Sequence, residues 1–115
     1  MFNKCIFCEL SKRNVTSNTV YNSNSIYAFK DINPQAPIHI IVIPKLHISS
    51  LSLVTKKHLK LLGRLQMIIA RIAKQFDELN NGFRIVNNCG INAGQSVDHL
   101  HYHLLGGRSF MWPPG

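Results

Sequence analysis

The sequence predicts an α+β fold, with an antiparallel sheet of about five strands, one long amphipathic helix and a short N-terminal helix. Short segments rich in β-branched and aromatic residues stand on both sides of a single stretch with helical periodicity. The chain has 115 residues, of which 45% are hydrophobic and 16% charged, as in globular proteins. This length suits one domain, residues 1–115, with a modest core.

The first predicted elements are a helix and a pair of strands. Residues 5–12 predict the short helix, because Ile6 and Leu10 stand four positions apart on one helical face. Residues 19–21 and 25–30 predict two strands, since the polar turn Asn-Ser-Asn separates two β-prone runs. We therefore expect a helix followed by a strand pair with a tight turn.

A loop and a central strand come next. Residues 31–37 predict a loop, because Pro34 and Pro37 cannot donate hydrogen bonds to a sheet. The β-branched run at residues 38–43 predicts a buried central strand. This run contains His39 and is far shorter than the roughly 18 apolar residues that a membrane span needs, so we expect no membrane association.

From residue 55 to residue 79 the hydrophobic period changes to that of a helix. The apolar half of the wheel is formed by Leu59, Leu61, Leu62, Leu65, Ile68, Ile69, Ile72, Ala73 and Phe76. A sector on the opposite side carries Lys56, Lys57, Lys60, Arg64, Arg71 and Lys74. The pattern predicts one long helix that packs on the sheet and turns a basic stripe to solvent.

The net charge of +8 favours anionic partners, either nucleic acid, a membrane surface or a small molecule that carries phosphate. Aromatic residues that could stack on bases do not interleave the basic stripe, so a nucleic-acid partner is disfavoured. The start of the chain lacks a signal-peptide pattern, and we expect a cytoplasmic protein. Three cysteines in such a chain argue against a disulfide framework.

The last two predicted strands span residues 83–88 and 99–105. Side chains alternate in a strand, so His99, His101 and His103 are expected on one face and the apolar residues between them in the core. Two chemistries use such a row of imidazoles: metal ligation, and nucleophilic attack by histidine on phosphorus. The flexible polar loop before the row can turn backbone N–H groups toward a phosphate, which favours the second.

The segment His-Leu-His-Tyr-His-Leu-Leu at residues 99–105 resembles the signature of the histidine-triad superfamily, and the chain is similar to its Hint branch of purine nucleoside phosphoramidases. The resemblance extends to residues 29–32, 34–37, 39, 42–45, 47, 94–97, 104–108 and 112–115. It implies a histidine-triad fold and a hydrolase that cleaves P–N, and also P–O, bonds of nucleoside monophosphate derivatives such as adenosine 5'-monophosphoramidate.

The resemblance also implies the catalytic roles. His101 is expected to attack the α-phosphorus and form a covalent nucleotidyl intermediate that water releases as AMP. His39 and His103 would orient the leaving group and the imidazole and help to supply protons. His99 would support the row, and Ser96 would meet the phosphoryl charge. No catalytic cofactor is expected.

The nucleotide site is implied by the same resemblance. Asp31 would accept from the ribose hydroxyls, and Ile32, Phe7 and Phe29 would enclose the purine. The phosphoryl group and the leaving group would be met by Asn88, Gly94, Gln95, Ser96, His101, His103 and, from a partner chain, Trp112.

A Cys-x-x-Cys pair at Cys5 and Cys8 supplies two of the four ligands that zinc takes. Two reduced thiols packed as small apolar groups are the alternative interpretation. The resemblance to bacterial histidine-triad proteins implies that His47 and His99 complete a structural zinc site. Cys89 is expected to take no part.

The tail at residues 110–115 carries two aromatic residues and a methionine, which is too apolar for a free terminus. We expect a two-fold homodimer in which the long helix and a sheet edge form the interface and the tail approaches the partner's site. Three positions depart from the family's pattern. Tyr102 and Asp98 replace more usual residues near the row, where Asp98 could raise a nearby imidazole pKa, and residues 14–16 lack an Ile-Pro.

Two other functions remain open from the residues alone. A non-catalytic nucleotide-binding regulatory module can use the same fold. A metalloenzyme with His39, His99, His101 and His103 around a catalytic metal would also explain the histidines, but it leaves the phosphate-type loop and Asp31 without a role.

Overall fold

The computed structural model describes residues 5–12 and 17–115; the departure at residues 14–16 lies outside the described residues. The first helix, α1, spans Ile6–Ser11, one residue inside each predicted bound. Cys5 caps it, because the thiol of Cys5 accepts a hydrogen bond from the backbone N–H of Cys8. The Cys-x-x-Cys pair therefore lies at the start of a helix, with both thiols near its first turn.

Five strands form one sheet in the order β1-β2-β3-β5-β4, and every neighbouring pair is antiparallel. Their bounds are Thr19–Asn22 (β1), Ile26–Lys30 (β2), Ile38–Pro44 (β3), Phe83–Val86 (β4) and Tyr102–Gly106 (β5). The predicted α+β class is confirmed, and so is the position of β3, which pairs with both β2 and β5.

The long helix is shorter than predicted. The α-helix α2 spans Leu59–Ala73, whereas the pattern predicted residues 55–79. A 3-10 turn at Lys56–His58 precedes it, and Thr55 donates its backbone N–H to Nδ1 of His58, which closes a capping box. After Ala73 the hydrogen bonds shorten to three-residue spacing, Phe76 is extended, and a separate 3-10 turn follows at Asp77–Leu79.

The two faces of α2 follow the predicted wheel with one exception. Leu65, Ile68, Ile69 and Ile72 are buried against the sheet, but Leu59 at the first turn is exposed. The basic stripe is fully exposed, in agreement with a solvated face. Within residues 5–12 and 17–115, no helix is long and apolar enough to span a membrane.

The sheet buries a different set of residues on each face. Against α2 lies the larger cluster, which includes Ile26, Ala28, Ile40, Val42, Leu100, Tyr102 and Leu104. Against α1 lies the smaller cluster, formed by Phe7, Leu10, Tyr27, Phe29, Ile41 and Ile43. Strand β3 contributes to both, because alternate side chains point to opposite faces.

The histidine row was predicted to lie wholly in a strand, and this is wrong. Strand β5 begins at Tyr102, so only His103 of the three belongs to it. Pairing with β3 ends at Val42 opposite Tyr102, and pairing with β4 ends at Val86 opposite His103. Strand β4 likewise ends two residues before its predicted bound. The core-facing part of the prediction is confirmed, since Leu100, Tyr102 and Leu104 lie in the cluster under α2.

Candidate functional site

A cavity of about 480 Å³ opens between α1 and the face of the sheet that carries the smaller cluster. Its apolar lining comes from Ile6, Phe7, Leu10, Phe29, Ile32, Ile41 and Val97. Its polar lining comes from Ser17, Lys30, Asp31, Ser96, His101 and His103. An apolar pocket with a few convergent polar groups is typical of a small-molecule site.

His101 has a defined tautomer. Its Nδ1 lies 2.6 Å from the backbone carbonyl of His99, and because a carbonyl only accepts, Nδ1 carries the proton. In the neutral ring Nε2 is then unprotonated. The ring packs edge-on against Phe7 of α1, with 5.0 Å between centroids, and is only 3% exposed. The site therefore holds a buried imidazole with a free lone pair on the nitrogen that a nucleophile needs.

A hydrogen bond between the rings of His39 and His103 has a defined donor and acceptor. Nδ1 of His39 accepts from the backbone N–H of Gln35 at 3.0 Å, so the neutral ring carries its proton on Nε2. That Nε2 lies 2.8 Å from Nδ1 of His103 and 3.4 Å from a carboxylate oxygen of Asp31. If Nδ1 of His103 accepts, the proton of the His103 ring is on Nε2. A chain of donors thus runs from the Gln35 backbone to His103, which lines the cavity.

Burial keeps both of these rings neutral. Desolvation lowers the pKa of His39, and the Asp31 carboxylate only partly opposes it. Desolvation also lowers the pKa of His103 to about 4, and the nearby His101 and His39 act in the same direction. At neutral pH the pair is therefore an uncharged hydrogen-bonded unit.

Asp31, His39 and His103 also present ligand-type atoms within 4.8 Å of one another. The hydrogen bond from Gln35 places the proton of His39 on Nε2, the atom that faces the other two residues. A metal ligand must offer a lone pair at that position. The arrangement is therefore set for hydrogen bonding, which weighs against the metalloenzyme interpretation of the histidines.

The cluster made by Cys5, Cys8, His47 and His99 has the donor set that zinc prefers, and its four ligand atoms lie within 4.8 Å of one another. The Cys5 Sγ lies 3.3 Å from Nδ1 of His99, and the Cys8 Sγ lies 3.3 Å from Nδ1 of His47. Burial and the neighbouring Cys5 raise the pKa of Cys8 to about 11. The residues fit a tetrahedral metal ion, and among the described residues Cys89 joins neither cluster.

His99 faces this cluster because of its backbone surroundings. Its Nε2 lies 2.7 Å from the carbonyl of Pro44, so Nε2 donates and the lone pair of Nδ1 is directed to the thiols. Burial is the main cause that lowers the pKa of His99. Asp98 is not among the groups that shift the pKa of His99, so the expected effect of Asp98 on an imidazole pKa or on the site geometry stays a prediction. Tyr102, the other departure, fills the core as an apolar residue would.

Four predicted nucleotide-binding residues lie outside the cavity lining. Asn88 donates to the carbonyl of Ala93, and Gln95 donates to the carbonyls of Ser49 and Val97. Gly94 has a positive φ of 79° and closes a 3-10 turn that the sequence did not predict. These residues shape the loop that carries Ser96 to the cavity, and in this structure their polar groups bond to the protein itself.

The fourth, Trp112, is 82% exposed in the single chain. The tail before it contacts the domain, because the guanidinium groups of Arg108 and Arg84 lie over the Phe110 ring, at 4.2 and 5.0 Å from its centroid. Arg84 also donates to the carbonyl of Met111 at 3.1 Å. The tail therefore leaves the domain in a fixed direction with its tryptophan in solvent.

Sequence reasoning missed several residues of the site. Ser17 lines the cavity, and its hydroxyl forms a hydrogen bond with the hydroxyl of Tyr27. The sequence pattern indicated only that Tyr27 lies in a strand. Lys30 and Val97 line it too. Asn87 donates its side-chain amide to the carbonyl of His101 at 2.8 Å. The available signal for Asn87 was a polar residue placed directly after Ile85 and Val86 inside the predicted strand.

The fold and this cavity define a class of protein with a small-molecule-sized pocket beside buried histidines. A family model described as scavenger mRNA decapping enzyme C-terminal binding matches residues 4–111, and the chain belongs to this family within the histidine-triad (HIT) superfamily. The resemblance seen in the sequence is confirmed.

Curated relatives cover nearly the whole chain. The 14 kDa zinc-binding protein of Zea mays is 44% identical over 96% of this chain and 87% of its own length. Adenylylsulfatase HINT1 of Arabidopsis thaliana is 43% identical over 96% of this chain and 76% of its own length.

Solved structures show the same fold. The HIT family hydrolase from Legionella pneumophila has a TM-score of 0.95 and 38% identity, over 97% of this chain and 100% of that chain. A zinc-bound histidine-triad family protein from Mycobacterium smegmatis has a TM-score of 0.78 and 26% identity, over 97% of this chain and 80% of that one.

Proposed function

We propose that the protein is a hydrolase of the Hint branch that cleaves purine nucleoside phosphoramidates, such as adenosine 5'-monophosphoramidate, and releases AMP. The observation that carries the proposal is the tautomer of His101. Its Nδ1 donates to the backbone carbonyl of His99, so in the neutral ring Nε2 carries a lone pair. The ring lines a cavity of nucleotide size.

The reaction would proceed in two displacements. In the first, the Nε2 lone pair of His101 attacks the α-phosphorus, the P–N bond breaks, and the leaving amine takes up a proton from Nε2 of His103, which solvent then replaces. In the second, water attacks the phosphorus, the P–Nε2 bond breaks, and the water loses a proton. One water is consumed for each AMP and amine released, and the neutral His101 ring is restored.

Residues around His101 support the two steps. His103 would donate from Nε2 to the leaving group, since its Nδ1 accepts from His39. Ser96 lines the cavity and would bond to the phosphoryl oxygens, and such donors are each worth about 3 kcal/mol in other enzymes. The predicted contributions of Asn88, Gly94 and Gln95 would act through the shape of the loop that carries Ser96.

The nucleoside would occupy the other end of the cavity. Asp31 lines it and would accept from the ribose hydroxyls. Phe7 and Phe29 meet edge to face at 5.6 Å and would form an apolar wall for the purine. Ile32, which is 98% exposed in the free chain, would cover the base from the outside.

We also propose a structural zinc ion bound by Cys5, Cys8, His47 and His99. The donor set supports this, and so do a relative described as a zinc-binding protein and a zinc-bound structural neighbour. When bound, the ion would link α1 to the segments that follow β3 and precede β5. No step of the hydrolysis depends on it.

The functional unit would be a cytoplasmic homodimer. Support comes from apolar side chains that the single chain leaves exposed: Phe83 and Ile85 on the edge strand β4, Met67 on α2, and Trp112. A second chain against β4 and α2 would cover them. Trp112 would then reach the leaving-group side of the partner's cavity.

The test is to incubate the protein with adenosine 5'-monophosphoramidate, quantify AMP, and search for a nucleotidyl adduct on His101 by mass spectrometry of the quenched mixture. We expect both AMP and the adduct, and we expect AMP release to continue in EDTA. Adenosine 5'-phosphosulfate is a second substrate to test, because a relative is described as an adenylylsulfatase.

The alternative is a regulatory module that binds nucleotides without cleaving them. It predicts AMP binding with no AMP release and no adduct from either compound. A hydrolysis that EDTA abolishes, with no adduct, would instead indicate a metalloenzyme.

A further inference from the structure

The backbone of His101 lies outside the sheet that positions most of the site. Pairing of β5 with β3 stops at Tyr102, and pairing with β4 stops at His103. Regular strand hydrogen bonds therefore do not reach the residue whose ring direction matters most for the proposed chemistry. Its main chain must be held by other contacts.

On the N-terminal side of His101 these contacts come from the backbone. Leu100 donates its N–H to the carbonyl of Ile48 at 2.6 Å, and His99 donates to Val97 at 2.9 Å. On the C-terminal side the contact comes from a side chain. The amide of Asn87, the first residue after β4, donates to the carbonyl of His101 at 2.8 Å.

Packing does not account for an asparagine at this position. The Oδ1 of Asn87 is buried and has no hydrogen-bond partner among the described residues. An unpaired buried oxygen is unfavourable, and an apolar side chain of similar size would avoid it. The favourable contact that the amide makes is its N–H bond to the His101 carbonyl.

We infer that Asn87 is a positioning residue for His101. The amide holds the peptide group that follows His101, while the bond from Nδ1 to the His99 carbonyl holds the ring, so the two together fix the direction of Nε2. The inference rests on the proposed role of His101 as the nucleophile. Asn87 itself is not among the residues that line the cavity.

The kinetic test compares Asn87→Val with the wild-type protein, and Ser23→Ala serves as the control. Ser23 accepts a hydrogen bond from the Ile26 backbone in the turn between β1 and β2, so its loss affects stability away from the cavity. We expect Asn87→Val to lower kcat at least tenfold with KM and the Kd for AMP within twofold, and Ser23→Ala to leave kcat unchanged. A kcat within twofold of wild type in folded Asn87→Val would overturn the inference.

A second variant and an NMR measurement test the same inference in case Asn87→Val does not fold. Asn87→Asp keeps the shape but replaces the donor by an oxygen, so it should lose the same activity if Asn87→Val does not fold. The ¹⁵N NMR shifts of the His101 ring need no substrate. We expect one tautomer protonated on Nδ1 in the wild type and averaging of the two tautomers in the variants. A single Nδ1-protonated ring in a folded variant would refute positioning by Asn87, even in a protein that shows no turnover.

Discussion

The two faces of the sheet are built from the same strands but have different chemistry. The face under α2 buries a large apolar cluster that includes Tyr102. The face under α1 buries a smaller apolar cluster and places His39 and His103 beside it. One face is a continuous core, and the other is a core interrupted by a cavity.

This difference is set by residues one position apart. In β3, His39 faces the cavity side and Ile40 the core; in β5, His103 and Leu104 divide in the same way. Alternate positions of the same strands therefore contribute to the apolar core and to the cavity. Substitution of a cavity-side residue should therefore change activity, and substitution of its core-side neighbour should change the free energy of unfolding.

The largest loss of activity without a loss of fold is expected from His101→Ala. Loss of the nucleophile should lower kcat at least about a thousandfold, while the fold and AMP binding persist. The control is His58→Ala, which removes a buried histidine that caps the turn before α2. It should lower the melting temperature and leave kcat unchanged. Phosphoramidase activity of His101→Ala within tenfold of wild type would contradict the assignment.

On the opposite face, Leu104→Ala should cost stability and spare the chemistry. Leu104 is fully buried in the cluster under α2, and a leucine-to-alanine cavity typically costs about 2–5 kcal/mol. Urea unfolding measures the loss in free energy of unfolding. At a temperature where the variant is folded, we expect kcat within about threefold of wild type. A large loss of kcat with unchanged stability would show that the two faces are not independent.

Acid should lower the free energy of unfolding mainly through histidines on the cavity face. The pKa of His103 is about 4 when folded and near 6.5 when unfolded, so between these values the unfolded chain binds a proton that the folded chain excludes. The free energy of unfolding is therefore highest above pH 6.5 and falls as the pH drops toward 4. His103→Asn should make this fall smaller, because it removes the group whose proton the folded state excludes. Equal pH dependence of unfolding in both proteins would contradict it.

Removal of zinc should weaken the α1 side of the molecule. Protein purified without chelator should contain one zinc per chain, and Cys5→Ser with Cys8→Ser should abolish it. At free zinc a hundredfold above its Kd, the loss would be about 2.7 kcal/mol of unfolding free energy. Metal analysis and unfolding in EDTA measure both quantities. Zinc that survives the double substitution would remove the site from these residues.

The smallest effect is expected at the tail. Deletion of residues 110–115 removes Trp112 and the Phe110 ring held by Arg84 and Arg108. The ratio of kcat/KM values for two phosphoramidates with different amines should change severalfold, while adduct formation at His101 persists. Sedimentation of the intact chain should give a dimer at micromolar concentration. A 13.0 kDa monomer, or an unchanged ratio after deletion, would contradict the proposed role of the tail.

The sequence predicted the fold well where periodicity is strong. The β-branched run gave β3 within one residue, and the alternation after His99 correctly assigned Leu100, Tyr102 and Leu104 to the core. The full zinc site could be predicted only through the family resemblance, because the spacing of Cys5, His47 and His99 in the chain does not indicate that they meet.

The rest depended on local hydrogen bonds that periodicity does not encode. Helix α2 stops short because the chain tightens after Ala73, although the apolar spacing continues to Phe76. Strand β5 starts late because the backbone of His99 and Leu100 bonds to Val97 and Ile48 instead of the ladder. These are tertiary contacts, and they decide where the histidines point.

His99 contacts the cysteine cluster with its ring and the ring of His101 with its backbone carbonyl. Its ring faces the thiols, and its carbonyl holds Nδ1 of His101. The ring is a property of the amino acid, whereas every amino acid at this position supplies the carbonyl. A descendant of this chain can therefore exchange residue 99 and lose the proposed zinc ligand, while His101, the proposed nucleophile, keeps its tautomer. Sequence change at the cysteine cluster is therefore independent of the contact that fixes the tautomer of His101.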